Sequence, residues 1–324
     1  MFKVLEAPQK TPLMMRDAYC AVMLKAAGEN ENVVFLDADL SSAFGMTPFF
    51  KMFPERAIQC GIAEANMVGI AAGLSSVGKI PFAHSFGCFT SRRACDQIMI
   101  SCVYAKQNVR LIGSDPGITA AYNGGTHMPF EDMGTLRSIP DITLLDITDP
   151  AMLTDITAQL ASDKYYGVYY MRFPRKNALA IYEDGSSFEI GKGNVLRNGT
   201  DVTIIASGIM VVEAMNAAKI LQTQGVSARV IDIFTWKPID AQLITTAAAE
   251  TGAIVTAENH NITGGLFSAV TEVTSRHCAV PVEVVGIFDS FGQVGPESYL
   301  RTAYGLTDEN IIKAALRAIE RKRA

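Results

Sequence analysis

The sequence predicts an α/β protein of two doubly wound domains, the second smaller than the first. Three observations lead there. Its 324 residues suffice for about two domains, each with its own core. Short apolar runs of strand length alternate with helix-length segments through most of the chain, the pattern of a parallel sheet covered on both faces. The alternation lapses once, from Lys176 to Lys192, into polar and glycine residues and then resumes. The linker is therefore placed at 181–192, between domains at 1–180 and 193–324.

In the first domain the pattern predicts a helix from Pro12 to Glu29, a buried strand at Val33–Asp37 and a loop at Ala38–Phe50 rich in Ser, Gly and Pro. A strand follows at Ile80–Ser85, a helix at Phe89–Ala105 and a strand at Val109–Gly113. Ser114–His127 reads as a long loop dense in Gly, Thr and Asn. A short helix near Phe130–Arg137, a strand at Ile142–Asp146, a helix at Pro150–Ser162 and a strand at Gly167–Arg172 complete the unit. The second domain predicts strands at Val202–Ser207, Ala228–Ile233, Ala253–Glu258 and Val282–Gly286. Its helices fall at Val211–Gln224, Ala241–Thr251 and Gly265–His277, with a terminal helix from Asp308.

Composition excludes several classes. With 49% hydrophobic and 19% charged residues the chain is an ordinary globular one, and its net charge of −5 carries no footprint for nucleic acid or an anionic membrane. The four basic side chains from Arg317 to Arg323 read as the solvated end of a helix. No stretch reaches the roughly 18 apolar residues of a membrane span, and the N-terminus lacks a signal-peptide core. Six cysteines without a CxxC pair are expected to be reduced thiols in a cytoplasmic protein. No GxGxxG, GxxxxGK[ST] or HExxH pattern is present, so neither familiar phosphate loop nor a metal site made by this chain alone is predicted.

The stretch Ile58–Val77 stands apart. A short strand feeds a turn, and Glu64 opens a helix that carries Ala65, Gly69, Ala71, Ala72 and Gly73. Glycine weakens a helix by roughly 1 kcal/mol relative to alanine, so close approach of another backbone must favour its use. A carboxylate buried there needs a partner; an exposed one would merely favour the positive end of the helix dipole.

With Asp39-Leu40-Ser41-Ser42, GIAEANMVGIAAGL, HSFGCF, the GGTH loop and MRFPR in order, the chain resembles the pyrimidine-binding and C-terminal domains of transketolases and of the related deoxyxylulose-phosphate synthases, which use thiamine diphosphate. The resemblance spans essentially the whole chain. The family's Gly-Asp-Gly…Asn motif, which holds the cofactor's diphosphate through Mg²⁺, has no counterpart; Glu183-Asp184-Gly185 lies in the linker without the Asn. The resemblance thus implies one subunit of a split transketolase. A partner N-terminal subunit would carry the diphosphate and Mg²⁺ end, in an α₂β₂ assembly with a homodimer of this chain as its core.

Roles follow by resemblance. Glu64 matches the carboxyl that exchanges a proton with the cofactor's aminopyrimidine and so activates it. Phe86 and Phe89 match rings that stack on the pyrimidine, and Arg92 stands where the family adds a third ring. Asp39 and Leu40 fall in the cofactor-contacting turn, and Ser41 and Ser42 beside the substrate. His127 matches a histidine that contacts the donor's hydroxyls or carbonyl. Arg16 and Arg172 match arginines that hold the substrate's terminal anion, as guanidinium forks do.

Two departures bear on the sugar substrate. The family commonly has His where this chain has Asp115, and Glu-Asp where it has Tyr122-Asn123. An Asp near a phosphate repels it, and Asn both donates and accepts. Either the substrate lies differently or its end is not a standard sugar phosphate. Two other readings stand beside the transketolase one: a β subunit of a 2-oxo-acid dehydrogenase, disfavoured by GGTH and RFPR, and a non-catalytic scaffold, which would need none of Glu64, Phe86, Phe89 and His127.

Overall fold

The computed structural model describes residues 1–11, 13–176 and 178–323; Pro12, expected to open the first helix, lies outside them. Apolar strands do assemble into two parallel sheets. The larger has seven strands in the order Thr235–Lys237, Ile142–Asp146, Val168–Phe173, Val109–Ser114, Ile80–Phe86, Val33–Asp37 and Ala57–Gln59. All are parallel except the first, an antiparallel edge strand contributed by the second half of the chain. The smaller sheet runs Val282–Ile287, Ile254–Asn261, Val202–Ala206, Ala228–Asp232 and an antiparallel Asn194–Arg197.

Most central strands of the larger sheet are buried along their whole length, as a sheet covered on both faces requires. Helix Met15–Glu29 packs on Pro150–Leu160 on one side, and Glu64–Ser76 covers Ile80–Phe86. After Val33–Asp37 the chain moves to the sheet's edge, whereas after Ile80–Phe86 it moves back across the sheet. The topological switch therefore lies between these two strands, and in open α/β sheets a crevice forms beyond their carboxyl ends.

Several elements depart from the sequence expectation. Val4–Lys10 pairs antiparallel with Leu179–Tyr182, so ordered ribbon occupies ground assigned to a polar lapse. The loop at Ala38–Phe50 ends in a short helix, Thr47–Met52, and Glu297–Ala303 is an additional helix. Phe89–Ala105 is not one α-helix: wide π-type turns at Phe89–Arg93 and Ile98–Tyr104 flank a single α-turn at Cys95–Gln97. Among the described residues no helix is long and apolar enough to cross a membrane.

Candidate active site

The crevice is built from loops that follow five parallel strands. Glu64 sits at the start of its helix after Ala57–Gln59 and is 1% exposed. Its setting is polar. Ser85 Oγ donates to Oε1 at 3.1 Å, and Arg93 Nη1 donates to Oε2 at 2.8 Å. Arg93 reaches it because the wide turn at Phe89–Arg93 adds a residue to the helical repeat; such turns recur at functional sites. The Arg93 guanidinium, 46% exposed, also lies 4.0 Å from the Phe89 ring centroid.

Phe86 ends its strand and Phe89 lies three residues on, their centroids 6.0 Å apart and their rings nearly perpendicular. His127 completes the group, 5.2 Å from Phe86 and 5.1 Å from Phe89. Edge-to-face rings at these distances attract one another beyond simple burial. Partial burial pushes the His127 imidazole below its ordinary range, and the nearby Arg93 and Arg175 charges push it the same way. His127 is therefore neutral at pH 7, with one ring nitrogen able to accept and the other to donate. Its Nδ1 lies 2.9 Å from Thr126 Oγ1.

The second domain holds the His127 loop. Asn259 accepts from the Ile118 N–H and donates to the Pro116 carbonyl at 3.0 and 2.9 Å. It fits only because Gly117, at φ +52°, has no Cβ to meet it. Gly125 lies against the Gly292 backbone, where any side chain would collide. The Gly-Gly before Thr126-His127 is thus a packing requirement of the domain seam.

Asp39, Leu40, Ser41 and Ser42 form the turn after Val33–Asp37, across the crevice. Asp37 organises it from within: the buried carboxylate accepts from the Leu40 and Ser41 N–H groups at 2.6 and 2.7 Å and from Gln59 at 3.0 Å. His84 Nδ1 lies 3.1 Å from the other Asp37 oxygen, and its ring stacks on Phe44. Burial lowers the His84 pKa, although Asp37 opposes it. Asp39 is exposed at φ +64°, with its N–H bonded to Gln59. Arg16 donates to the Ala43 carbonyl at 2.9 Å and so ties helix Met15–Glu29 to this turn.

Two expected site residues are placed elsewhere. Arg172 does not face the crevice. It is 0% exposed, donating to Asp132 at 2.8 Å and twice to Asp146 at 3.0 Å, with the Trp236 ring 5.0 Å away. Those two carboxylates occupy its fork, so the expectation that it holds a substrate anion is corrected. Arg175, past Pro174 and beyond the strand end, lies beside the Phe86 ring instead. Arg175 bonds Asp115 through its backbone N–H at 2.9 Å and Nε at 2.6 Å, and its guanidinium lies 4.7 Å from the Phe86 ring centroid. Arg92 is likewise not a third partner for the rings. The wide turn directs it to an ion pair with Glu131, and Arg93 takes the position over Phe89. Asn123 is exposed on the Ser114–His127 loop.

Sequence reasoning missed Arg175, Arg93, Ser85 and Asp37. Only Arg175 carried a signal, because residues just past the carboxyl end of a parallel strand line the crevice. A buried carboxylate with two hydrogen bonds, beside two aromatic rings and a neutral imidazole, suits the aminopyrimidine end of thiamine diphosphate: the rings offer flat apolar contact, and Glu64 an acceptor for a ring nitrogen. Among the described residues no group of three or more His, Cys, Asp or Glu side chains is arranged to hold a metal ion.

Comparison with known proteins agrees with this geometry. Residues 11–179 match the transketolase pyrimidine-binding domain family and residues 191–311 the transketolase C-terminal domain family. The chain is 46% identical over 308 residues to the 6-deoxy-6-sulfo-D-fructose transketolase subunit SqwH of Clostridium sp. (strain MSTE9), covering 95% of both chains. It is 34% identical to an apulose-4-phosphate transketolase subunit of Phocaeicola vulgatus, covering 94% of this chain and 97% of that protein. A solved split-gene transketolase, an inactive β4 tetramer, superposes with a TM-score of 0.88 at 40% identity, covering 97% of this chain and all of the other. The chain belongs to the transketolase family, whose enzymes depend on thiamine diphosphate, and is similar throughout its length to the C-terminal subunits of split transketolases.

Proposed function

We propose that this chain is the C-terminal subunit of a two-subunit transketolase that moves a two-carbon ketol unit from an anionic ketose to an aldose in the cytoplasm. The observation that carries the reading is the buried Glu64 carboxyl beside the Phe86, Phe89 and His127 rings. When bound, thiamine diphosphate supplies the carbon nucleophile. Glu64, its carboxyl held by Ser85 and Arg93, would exchange a proton with the aminopyrimidine nitrogen. Phe86 and Phe89 hold the ring plane. Neutral His127 hydrogen-bonds the donor's hydroxyl or carbonyl and moves a proton there, while Arg175 and Arg16 supply positive charge for the substrate's far end. Two relatives support an anionic end, one named for a sulfonated and one for a phosphorylated sugar.

A separate N-terminal subunit would hold the diphosphate through Mg²⁺, in an α₂β₂ assembly. The small-residue face of helix Glu64–Ser76, where Gly69 and Gly73 are exposed, suits close packing about a two-fold axis. The inactivity of the β4 relative fits a chain that lacks half of its cofactor site. The test is reconstitution. The purified chain should show no ketol transfer and little thiamine-diphosphate binding by calorimetry, and adding the N-terminal subunit with Mg²⁺ should bring both. Full activity from a preparation shown by mass spectrometry to contain this chain alone would refute the reading.

A further inference from the structure

We infer that Asp115 is a specificity-determining residue that restricts the substrate's far end to a single negative charge and so favours a sulfonate over a phosphate ester. The inference rests on the transketolase reading of the site. Asp115 follows the strand Val109–Ser114 in a left-handed conformation, φ +54°, with its N–H bonded to the Phe173 carbonyl at 3.1 Å. Non-glycine residues are held there at a cost, and such strain clusters at ligand sites. The twist turns the carboxylate onto Arg175. It accepts the Arg175 backbone N–H and Nε, which leaves the guanidinium's two Nη groups without a hydrogen-bond partner among the described residues. Arg175 lies against Phe86, close enough to His127 to depress the imidazole's pKa, so its open edge belongs to the substrate side of the crevice.

The charge balance follows. A lone arginine would attract a dianion more strongly than a monoanion. Paired with Asp115, Arg175 forms a neutral unit that keeps two N–H donors for one flat face of oxygens, and Arg16 is left as the net charge facing the substrate's end. A sulfonate carries one charge at every relevant pH, whereas a phosphate ester with a second pKa near 6 is mostly a dianion at neutral pH. Asp115 is 2% exposed, so solvent screens its repulsion of the second charge poorly. Relative to a site without it, a unit charge at about 6 Å in a medium of effective dielectric near 20 shifts the sulfonate-to-phosphate preference by roughly 10–100-fold.

The experiment measures kcat/KM in the reconstituted two-subunit enzyme for two donor ketoses that differ only in a terminal sulfonate or phosphate, at pH 7.5. The wild type should show a sulfonate-to-phosphate ratio above one. Asp115→Asn should lower that ratio at least about tenfold, and Asp115→Glu, which keeps the charge, should preserve its direction. A merely structural Asp115 would lower both donors together and leave the ratio unmoved, which overturns the inference. A wild-type preference for phosphate overturns it as well, with the transketolase reading intact. No transfer from either donor refutes that reading and this inference with it.

Discussion

Two arginines three residues apart on one strand end show how differently the molecule uses charge in its two polar regions. Arg172 lies in a closed cluster at the domain seam. Asp132 and Asp146 hold its guanidinium, Tyr170 donates to Asp132 at 2.8 Å, and Ser207 donates to Asp146 at 2.7 Å while accepting from Trp236. His260 closes the group, with the Gly134 N–H 3.1 Å from its Nε2 and the Asn261 carbonyl 2.6 Å from its Nδ1. Arg175 stands at the open front, with one edge on Asp115 and the rest toward the crevice. A charge whose partners are all buried and mutually satisfied joins domains; one satisfied on a single side is available to a ligand. The pattern of hydrogen bonds, not the residue type, separates the two roles.

The sharpest way to break this contrast is Arg172→Ala. It leaves two buried carboxylates unpaired and should cost roughly 3–5 kcal/mol of folding free energy, measured by urea titration. A loss below about 1 kcal/mol would mean that the cluster does not hold the seam.

His260 gives the next largest effect. Burial pushes its imidazole down to about 4, and its two bonds fit a neutral ring with the proton on Nδ1. In the unfolded chain it titrates near 6.5, so between these values the unfolded state binds more protons. Its contribution is therefore present above pH 6.5 and lost as pH falls toward 4, by roughly 3 kcal/mol in all. Urea titrations at pH 7 and pH 4.5 should show His260→Gln losing less stability on acidification than the wild type. An equal loss would remove His260 from the account.

The smallest expected effect on stability belongs to Arg175→Lys. The charge stays and the fork is lost, so stability should change by no more than about 1–1.5 kcal/mol. The KM for anionic donors in the reconstituted enzyme should rise about tenfold, the loss of roughly one charge-assisted hydrogen bond, with a smaller change in kcat. An unchanged KM would place Arg175 with Arg172 as a structural residue.

The sequence made the parallel strands legible because buried strands are continuous apolar runs, and Val33–Asp37 and Ile142–Asp146 have the bounds expected of them. Val4–Lys10 escaped notice because a half-exposed two-stranded ribbon has no such run. Thr235–Lys237 escaped because three residues crossing to another sheet leave no local pattern. In the candidate site, motif order singled out Glu64, Phe86, Phe89 and His127, and the structure brings Phe86, Phe89 and His127 together, with Arg93 linking Glu64 to the Phe89 ring. The choice between Arg172 and Arg175, and between Arg92 and Arg93, was not legible. Each depends on which way a backbone turns at one residue, Pro174 past a strand end or a π-type turn, and periodicity does not encode that.

The central claim is that Glu64 activates the cofactor, and proton exchange at thiazolium C2 of thiamine diphosphate reads it most directly. The measurement uses quenched-flow NMR on the reconstituted enzyme, with cofactor occupancy checked by calorimetry. Glu64→Ala should still bind cofactor when the N-terminal subunit is present, yet exchange the C2 proton more slowly by at least the roughly 10²–10⁴-fold typical of a lost acid–base group. Exchange at the wild-type rate in cofactor-loaded Glu64→Ala would contradict the account.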